Sequence, residues 1–396
     1  MTSFNYLRDS SSFLEAFSFN GGIDATSSLL FVGMFFGGLV ALVFGDITGR
    51  RSLLLSSLLL SSLASGLAVF SPSILVFNAL RLLNGLAVGA MIPPVFAICN
   101  EASPDESRGR NVNHVCWFFL YGSVYISLVA YNIFERTGED DWRLFQFFTA
   151  LPSIVALALV NVYVKETRPT QPNIKLVPLC KTLTGHVQQL YSPPLTTRTT
   201  VLQLIFLCLS FSSFGLMSLI TPLFEEVGIH NAYMLTVVFN SAGMLGNILS
   251  FVTIDRYSRI TLLALFLFLS FASSILFAFV TGPLPIVLAA SLFQIFTTAS
   301  WNCLGTVGCE QFPSWTIRTS GYAICSATGR GGAFIAQFVN GYFLKTSPTA
   351  LLVFDGVVLL IGAVSAFAGL DNIKLTEDAA IEEDEKEALM DFVQER

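Results

Sequence analysis

Charge is what this sequence lacks most. Only 12% of its 396 residues are Asp, Glu, Lys or Arg, about half the share of a soluble domain. Histidine is scarcer still. His114, His186 and His230 lie far apart, which leaves no basis for a His-centred catalytic or metal cluster. The seven cysteines form no C-x-x-C and pair with no His at metal spacing, so they read as small apolar residues. No nucleotide-binding loop and no nucleophile–base pair occurs. These absences argue against an enzyme, a cofactor, a metal site and a nucleic-acid partner. No cleavable signal peptide opens the chain, and no Asn-x-Ser/Thr acceptor is present. The net charge of −6 arises largely in the run Glu377 to Glu387, so it says little about partners.

What the chain has instead is apolar surface. Hydrophobic residues make up 53%, and Phe alone contributes 37. A span needs about 20 apolar residues, and eleven such runs follow one another: 27–45, 53–70, 74–99, 112–134, 144–164, 199–221, 232–253, 260–281, 284–304, 319–343 and 349–369. The reading is an all-α polytopic membrane protein whose lipid bilayer is its solvent. The organisation is a non-membrane segment 1–26, a five-span bundle 27–164, a Pro-rich cytosolic linker 165–198, a six-span bundle 199–370 and an acidic cytosolic tail 371–396. The 21 basic residues divide unevenly when the loop at 46–52 is placed in the cytosol. Four (Arg8, Arg136, Arg143, Lys345) fall outside, two (Arg81, Arg330) fall inside spans, and the other fifteen are cytosolic. The positive-inside rule therefore puts the C-terminus in the cytosol, of the plasma membrane or of a vesicle or organelle.

Charged signposts recur at a fixed interval. Asp46, Gly49, Arg50 and Arg51, then Glu101 and Arg108, form one set; Asp255, Arg256 and Arg259, then Glu310 and Arg318, form the other. Asp46 and Asp255 stand 209 residues apart, as do Glu101 and Glu310. Such a repeat on repeated apolar runs is the mark of a transporter built from two similar halves. A carboxylate among Arg side chains and helix ends is favourable, so each set reads as a cytosolic gate. Plain topological anchoring by Arg50 and Arg51 is the alternative.

Asp46-Ile-Thr-Gly-Arg-Arg51 resembles the G-x-x-x-D-R-x-G-R-R signature of the major facilitator superfamily, with Ile47 and Leu42 as departures and Ser258 replacing Gly in the second copy. Arg81-Leu-Leu-Asn-Gly85-Leu-Ala-Val-Gly89 resembles its R-x-x-x-G-x-x-x-G motif. Lys165 to Arg168, Glu101 to Arg110, Asp141 to Arg143, and Ser326 to Gln337 resemble the synaptic vesicle glycoprotein 2-related and organic cation–anion transporter group. The resemblance covers about residues 27–370. It implies two pseudo-symmetric bundles around a central cavity and alternating access to a small-molecule substrate, with the protein a monomer. It also implies twelve spans, so the first helix is missing and residues 1–26 read as the loop after it.

Polar residues inside spans must face protein or water. Arg330, ringed by Gly329, Gly331 and Gly332, points to a cavity, with Gln337 on its face; internal pairing with carbonyls is the alternative. Arg81, beside Asn84, is either a cavity group or a snorkelling one. Tyr121 with Tyr125, Gln294 with Thr298 and Trp301, and Asn240 form weaker stripes that either touch solute or bridge helices. Gly33, Gly37 and Gly38 read as a packing face. Asp24, Glu101, Asp255 and Glu310 lie at span edges, and only Asp355, near an outer end, is a possible buried acid. The expected activity is transport of an organic anion or neutral polyol-like solute by facilitated diffusion or exchange. The competing readings are a non-transporting receptor or trafficking protein and a truncated twelve-span carrier.

Overall fold

In hydrocarbon a chain must satisfy its own backbone N–H and C=O groups, and a helix does so within one segment. The computed structural model describes residues 7, 10–17, 23–45, 48–136, 141–164, 187–193, 195–226, 232–312 and 318–370, and no strand occurs among them. Most of the expected linker, the acidic tail, Asp46 and Ile47 lie outside the described residues.

The helices are α1 (Ser11–Phe17), α2 (Ile23–Phe44), α3 (Arg50–Ala68), α4 (Ile74–Ala102), α5 (Arg108–Ala130), α6 (Trp142–Tyr163), α7 (Leu195–Glu226), α8 (Ala232–Thr253), α9 (Arg259–Phe279), α10 (Pro283–Glu310), α11 (Arg318–Thr346) and α12 (Pro348–Gly369). Helices α2 to α12 fall on the eleven expected runs. Among the described residues nine are long and apolar enough to cross a membrane. The other two of the eleven are α2, apolar over the shorter stretch Ser28–Phe44, and α11, which is long but rich in polar residues.

The 209-residue interval organises the packing as well as the sequence. Helix α2 packs along α4 and α8 along α10. A Cβ at Gly37 would run into the carbonyl of Leu86, and one at Gly246 into the carbonyl of Ile295. Both members of each pair are 209 apart, so one close backbone crossing is built twice. Gly33, Gly85 and Gly89 extend the first crossing, each facing backbone of the opposite helix. Gly38 turns the other way, to Ala327 of α11. The bundles meet most extensively where α2 packs on α11 and α5 on α8, with α5 on α10 and α4 on α10 and α11 beside them.

The same interval identifies α1. Residues 11–17 of α1 stand 209 before residues 220–226 of α7, and both stretches are helical, so α1 stands where the later turns of an N-half counterpart of α7 belong. The sequence reading takes this stretch for loop because seven helical residues are too short to register as a span. Phe13 and Phe17 of α1 pack with Phe77 and Trp142 at one end of the bundle. The worn second motif also has a backbone cause. Gly49, before α3, has φ of 89°, which favours glycine. Ser258, before α9, has φ of −56°, so no glycine is needed there.

Substituting Gly89 by Ala drives a methyl group into the Met34 carbonyl. Overpacking against backbone is expected to cost about 1–3 kcal/mol and to lower Tm in a detergent melt. Gly341→Ala, with open space around it, is expected to leave Tm unchanged or raise it slightly.

Candidate functional site

At the end of the molecule opposite α1, the repeated charges become repeated ion pairs. Arg50 pairs with Glu101 and Arg259 with Glu310, each pair again 209 residues from its copy. Arg51 does something different. Its Nε donates to the carbonyl of Val164 at 2.6 Å and its Nη2 to that of Asn161 at 3.1 Å. It thereby caps the C-terminal carbonyls of α6, where a cation is favourable.

Asp255 crosses between halves. Its Oδ2 accepts from the backbone N–H of Arg110 at 3.1 Å and from Arg110 Nε at 3.0 Å, and its Oδ1 accepts from Arg259 Nη2 at 2.9 Å. The carboxylate thus sits on the first turn of α5, where the helix dipole favours an anion. Gly109 leaves room for it, since a Cβ there would meet Asp255 Oδ1. The related joint lies at the start of α11. There Ser320 Oγ donates to the Leu42 carbonyl at 3.0 Å, and Gly45 lies against Thr319. Arg318 donates from Nε to the carbonyl of Phe312 at 3.2 Å. Arg256 is exposed, Arg108 opens α5 half-buried, and Asp46 lies outside the described residues.

Arg330 lies between the halves, deeper in the bilayer. Its side chain is 7% exposed. The guanidinium carbon stands 4.9 Å from the ring centre of Phe214 and 6.0 Å from that of Trp301, and Phe31 of the other half stacks on Phe214. Trp301 is held by donation from Nε1 to Ser213 Oγ at 3.0 Å. Arg330 Nη1 is buried and has no hydrogen-bond partner among the described residues. Gln337, on the same face, spends its amide on Ser218 Oγ at 2.8 Å.

The other sequence candidates do not join this site. Asn84 accepts from Ser61 Oγ at 2.8 Å within the N-half. Tyr125 donates to the Phe148 carbonyl at 3.1 Å, which Pro152, four residues on and without an N–H, leaves unserved. Gln294 and Thr298 lie over Gly243 of α8. Asn240 donates to Ser127 Oγ at 2.9 Å and ties α8 to α5. Asn84, Tyr125 and Asn240 thus bridge helices. Tyr121 is exposed beside Trp117 and Phe118. Arg81 is buried rather than snorkelling, with its guanidinium 5.9 Å from the ring centre of Phe77.

Sequence reasoning misses the rings that make the Arg330 site, Phe214 and Phe31, because nothing marks them among 37 phenylalanines. Asp355, which the sequence allows as a buried acid near the outer end of its span, is completely buried in the structure. Asn340 Nδ2 stands 3.2 and 3.1 Å from its two carboxylate oxygens.

A family model described as Major Facilitator Superfamily matches residues 11–314. The putative niacin/nicotinamide transporter NiaP of Bacillus subtilis is 24% identical over 313 residues, 78% of this chain and 76% of that protein. The niacin transporter NiaP of Acinetobacter baylyi is 24% identical over 372 residues, 86% of this chain and 84% of that one. Synaptic vesicle glycoprotein 2A of Rattus norvegicus is 29% identical over 158 residues, 37% of this chain but only 21% of its own length. Among solved structures, the human organic anion transporter MFSD10 superposes with a TM-score of 0.72 at 14% identity, over 91% of this chain and 89% of that one. The proton:xylose symporter XylE does so with 0.72 at 17% identity, over 92% of each. At these identities the two structures show the fold alone.

Asp255→Asn is expected to weaken the joint on α5 by about 1–2 kcal/mol through loss of charge-assisted hydrogen bonds. Spin-label distances between the first turns of α5 and α9 should lengthen and broaden in this variant. Arg256→Ala should leave them unchanged.

Proposed function

The chain belongs to the major facilitator superfamily, and on that premise we propose that it is a secondary transporter of a small organic anion. The observation that carries this reading is the buried Nη1 of Arg330, which has no protein partner among the described residues. A charge at membrane depth costs at least about 2.5–3.5 kcal/mol, and rings around it offset only part of that. A carboxylate arriving from solution supplies the missing acceptor and cancels the charge, which a neutral polyol does not. Phe214, Trp301 and Phe31 present apolar faces beside it, suited to a flat or compact organic body.

The positive-inside count places the ion-paired end in the cytosol. The gate reading then follows from its chemistry. Within each half, Arg50–Glu101 and Arg259–Glu310 brace the helix ends, while Asp255 on α5 holds the halves together. A partly exposed joint of this kind can break and reform as the bundles rock. The names of the relatives indicate a first substrate to try, a pyridine monocarboxylate.

In proteoliposomes, saturable nicotinate uptake is expected. Arg330→Ala should lower uptake efficiency roughly tenfold to a hundredfold, the value of a hydrogen bond to a charged group, and Arg330→Lys should fall between. Saturable uptake of organic cations unaffected by Arg330→Ala would overturn the anion assignment. Absence of any uptake, with the latch closed in spin-label distances, would favour the non-transporting reading.

A further inference from the structure

One turn of α7 is gripped from two sides. Ser213 Oγ accepts from Trp301 Nε1, and Phe214 lies under the Arg330 guanidinium. On the other side, Ser212 Oγ donates to the backbone carbonyl of Asp355 at 2.9 Å, and Gly215 lies flush against the Asn340 amide, with no room for a Cβ. Four consecutive residues, 212 to 215, therefore connect the Arg330 site to a second buried ionisable group.

That group is Asp355. It lies seven residues into α12, about 10 Å along the helix from its start, and is fully buried in the C-terminal bundle. The faces around it present Ser212 and Gly215 from α7, Asn340 from α11, and Ser274, Ile275 and Phe271 from α9 beside Gly356. Among the described residues no charged side chain faces it. Its one side-chain partner is an amide, which suits either protonation state. An ionised carboxylate accepts from Nδ2, whereas a neutral acid donates to Oδ1 after the amide turns over. As placed, Asn340 Oδ1 is buried with no hydrogen-bond partner among the described residues.

The two buried charges also compensate each other. Asn340 and Arg330 share α11, ten residues and about 15 Å apart. With Arg330 empty and positive, a negative Asp355 makes the C-terminal bundle neutral. An anion on Arg330 removes that compensation and leaves Asp355 as an unbalanced charge in hydrocarbon.

We propose that Asp355 is a proton-binding site linked through α7 to Arg330, so that an anion taken at Arg330 brings a proton to Asp355 and the loaded bundle stays neutral. The proton comes from water on whichever side the cavity faces. This reading makes the transporter proton-coupled, against the expectation of simple diffusion or exchange, and it rests on Arg330 as the anion site.

The test uses full-length protein in lipid nanodiscs and infrared spectroscopy of the protonated carboxyl C=O band, assigned by ¹³C-aspartate and by its loss in Asp355→Asn. In the wild type the band should titrate. Arg330→Gln should raise proton affinity roughly fivefold, the effect of one charge at that separation, and Arg330→Lys should restore it. Nicotinate should draw a proton onto wild type, measured with a pH dye in weak buffer, and none onto Asp355→Asn. A band that is present but does not titrate, or that ignores Arg330→Gln, overturns the proposal. So does nicotinate binding without proton uptake. A titrating band that responds to Arg330→Gln, with no nicotinate binding at all, sustains the Arg330–Asp355 link and rejects nicotinate as the anion. Should Asp355→Asn fail to fold, the isotope-assigned band in the wild type and the Arg330 variants decides alone.

Discussion

The structure depends on the penalty for placing charge in hydrocarbon. Among the described residues, one set of charges gathers at one end, where Arg50, Glu101, Asp255, Arg259 and Glu310 satisfy one another and the helix termini. Arg81 is covered by the aromatic cluster that α1 completes. Arg330, between the halves, and Asp355, within the C-terminal half, lie on opposite sides of one turn of α7. None of these positions is neutral to conformation, because moving a helix exposes or re-pairs a charge.

Contacts within a half and contacts between halves differ in kind. Inside each half, glycine brings backbone against backbone at Gly37 on Leu86 and at Gly246 on Ile295. Such crossings resist sliding, since any shift brings atoms into overlap. Between α5 and α8 polar contacts stand beside aromatic ones: Asn240 to Ser127 and Asn113 to Ser250, with Arg110 to Asp255 just beyond α8, and His114 and Trp117 against Phe251. Hydrogen bonds of this kind can be exchanged for water at modest net change. Two rigid bundles joined by exchangeable bonds are the physical requirement for rocking motion.

Much of this was legible in the residues alone. Span positions follow from apolar run length, and the two-half plan from the interval of 209. The ion pairs were legible as a pattern but not as partners. Arg51 and Arg50 are adjacent and identical in type, yet one caps α6 and the other binds Glu101, because adjacent residues on a helix point about 100° apart. Tyr125 read, from its place on a polar stripe, as a residue that either touches solute or bridges helices. Its partner is a carbonyl freed by Pro152 on another helix, and no spacing rule within α5 could find it.

By itself the sequence determined the solvent, the places of the eleven apolar runs, the family and the places where charge must be resolved, since these follow from composition, run length and motifs along one chain. Only the tertiary structure decided which polar groups are spent on bridging helices and which remain open. It turned Asn84, Asn240 and Tyr125 into struts. It brought Phe214 and Trp301 to Arg330 and enclosed Asp355 against Asn340. Those outcomes depend on which faces meet across residues far apart in the chain, and that is a property of packing in three dimensions.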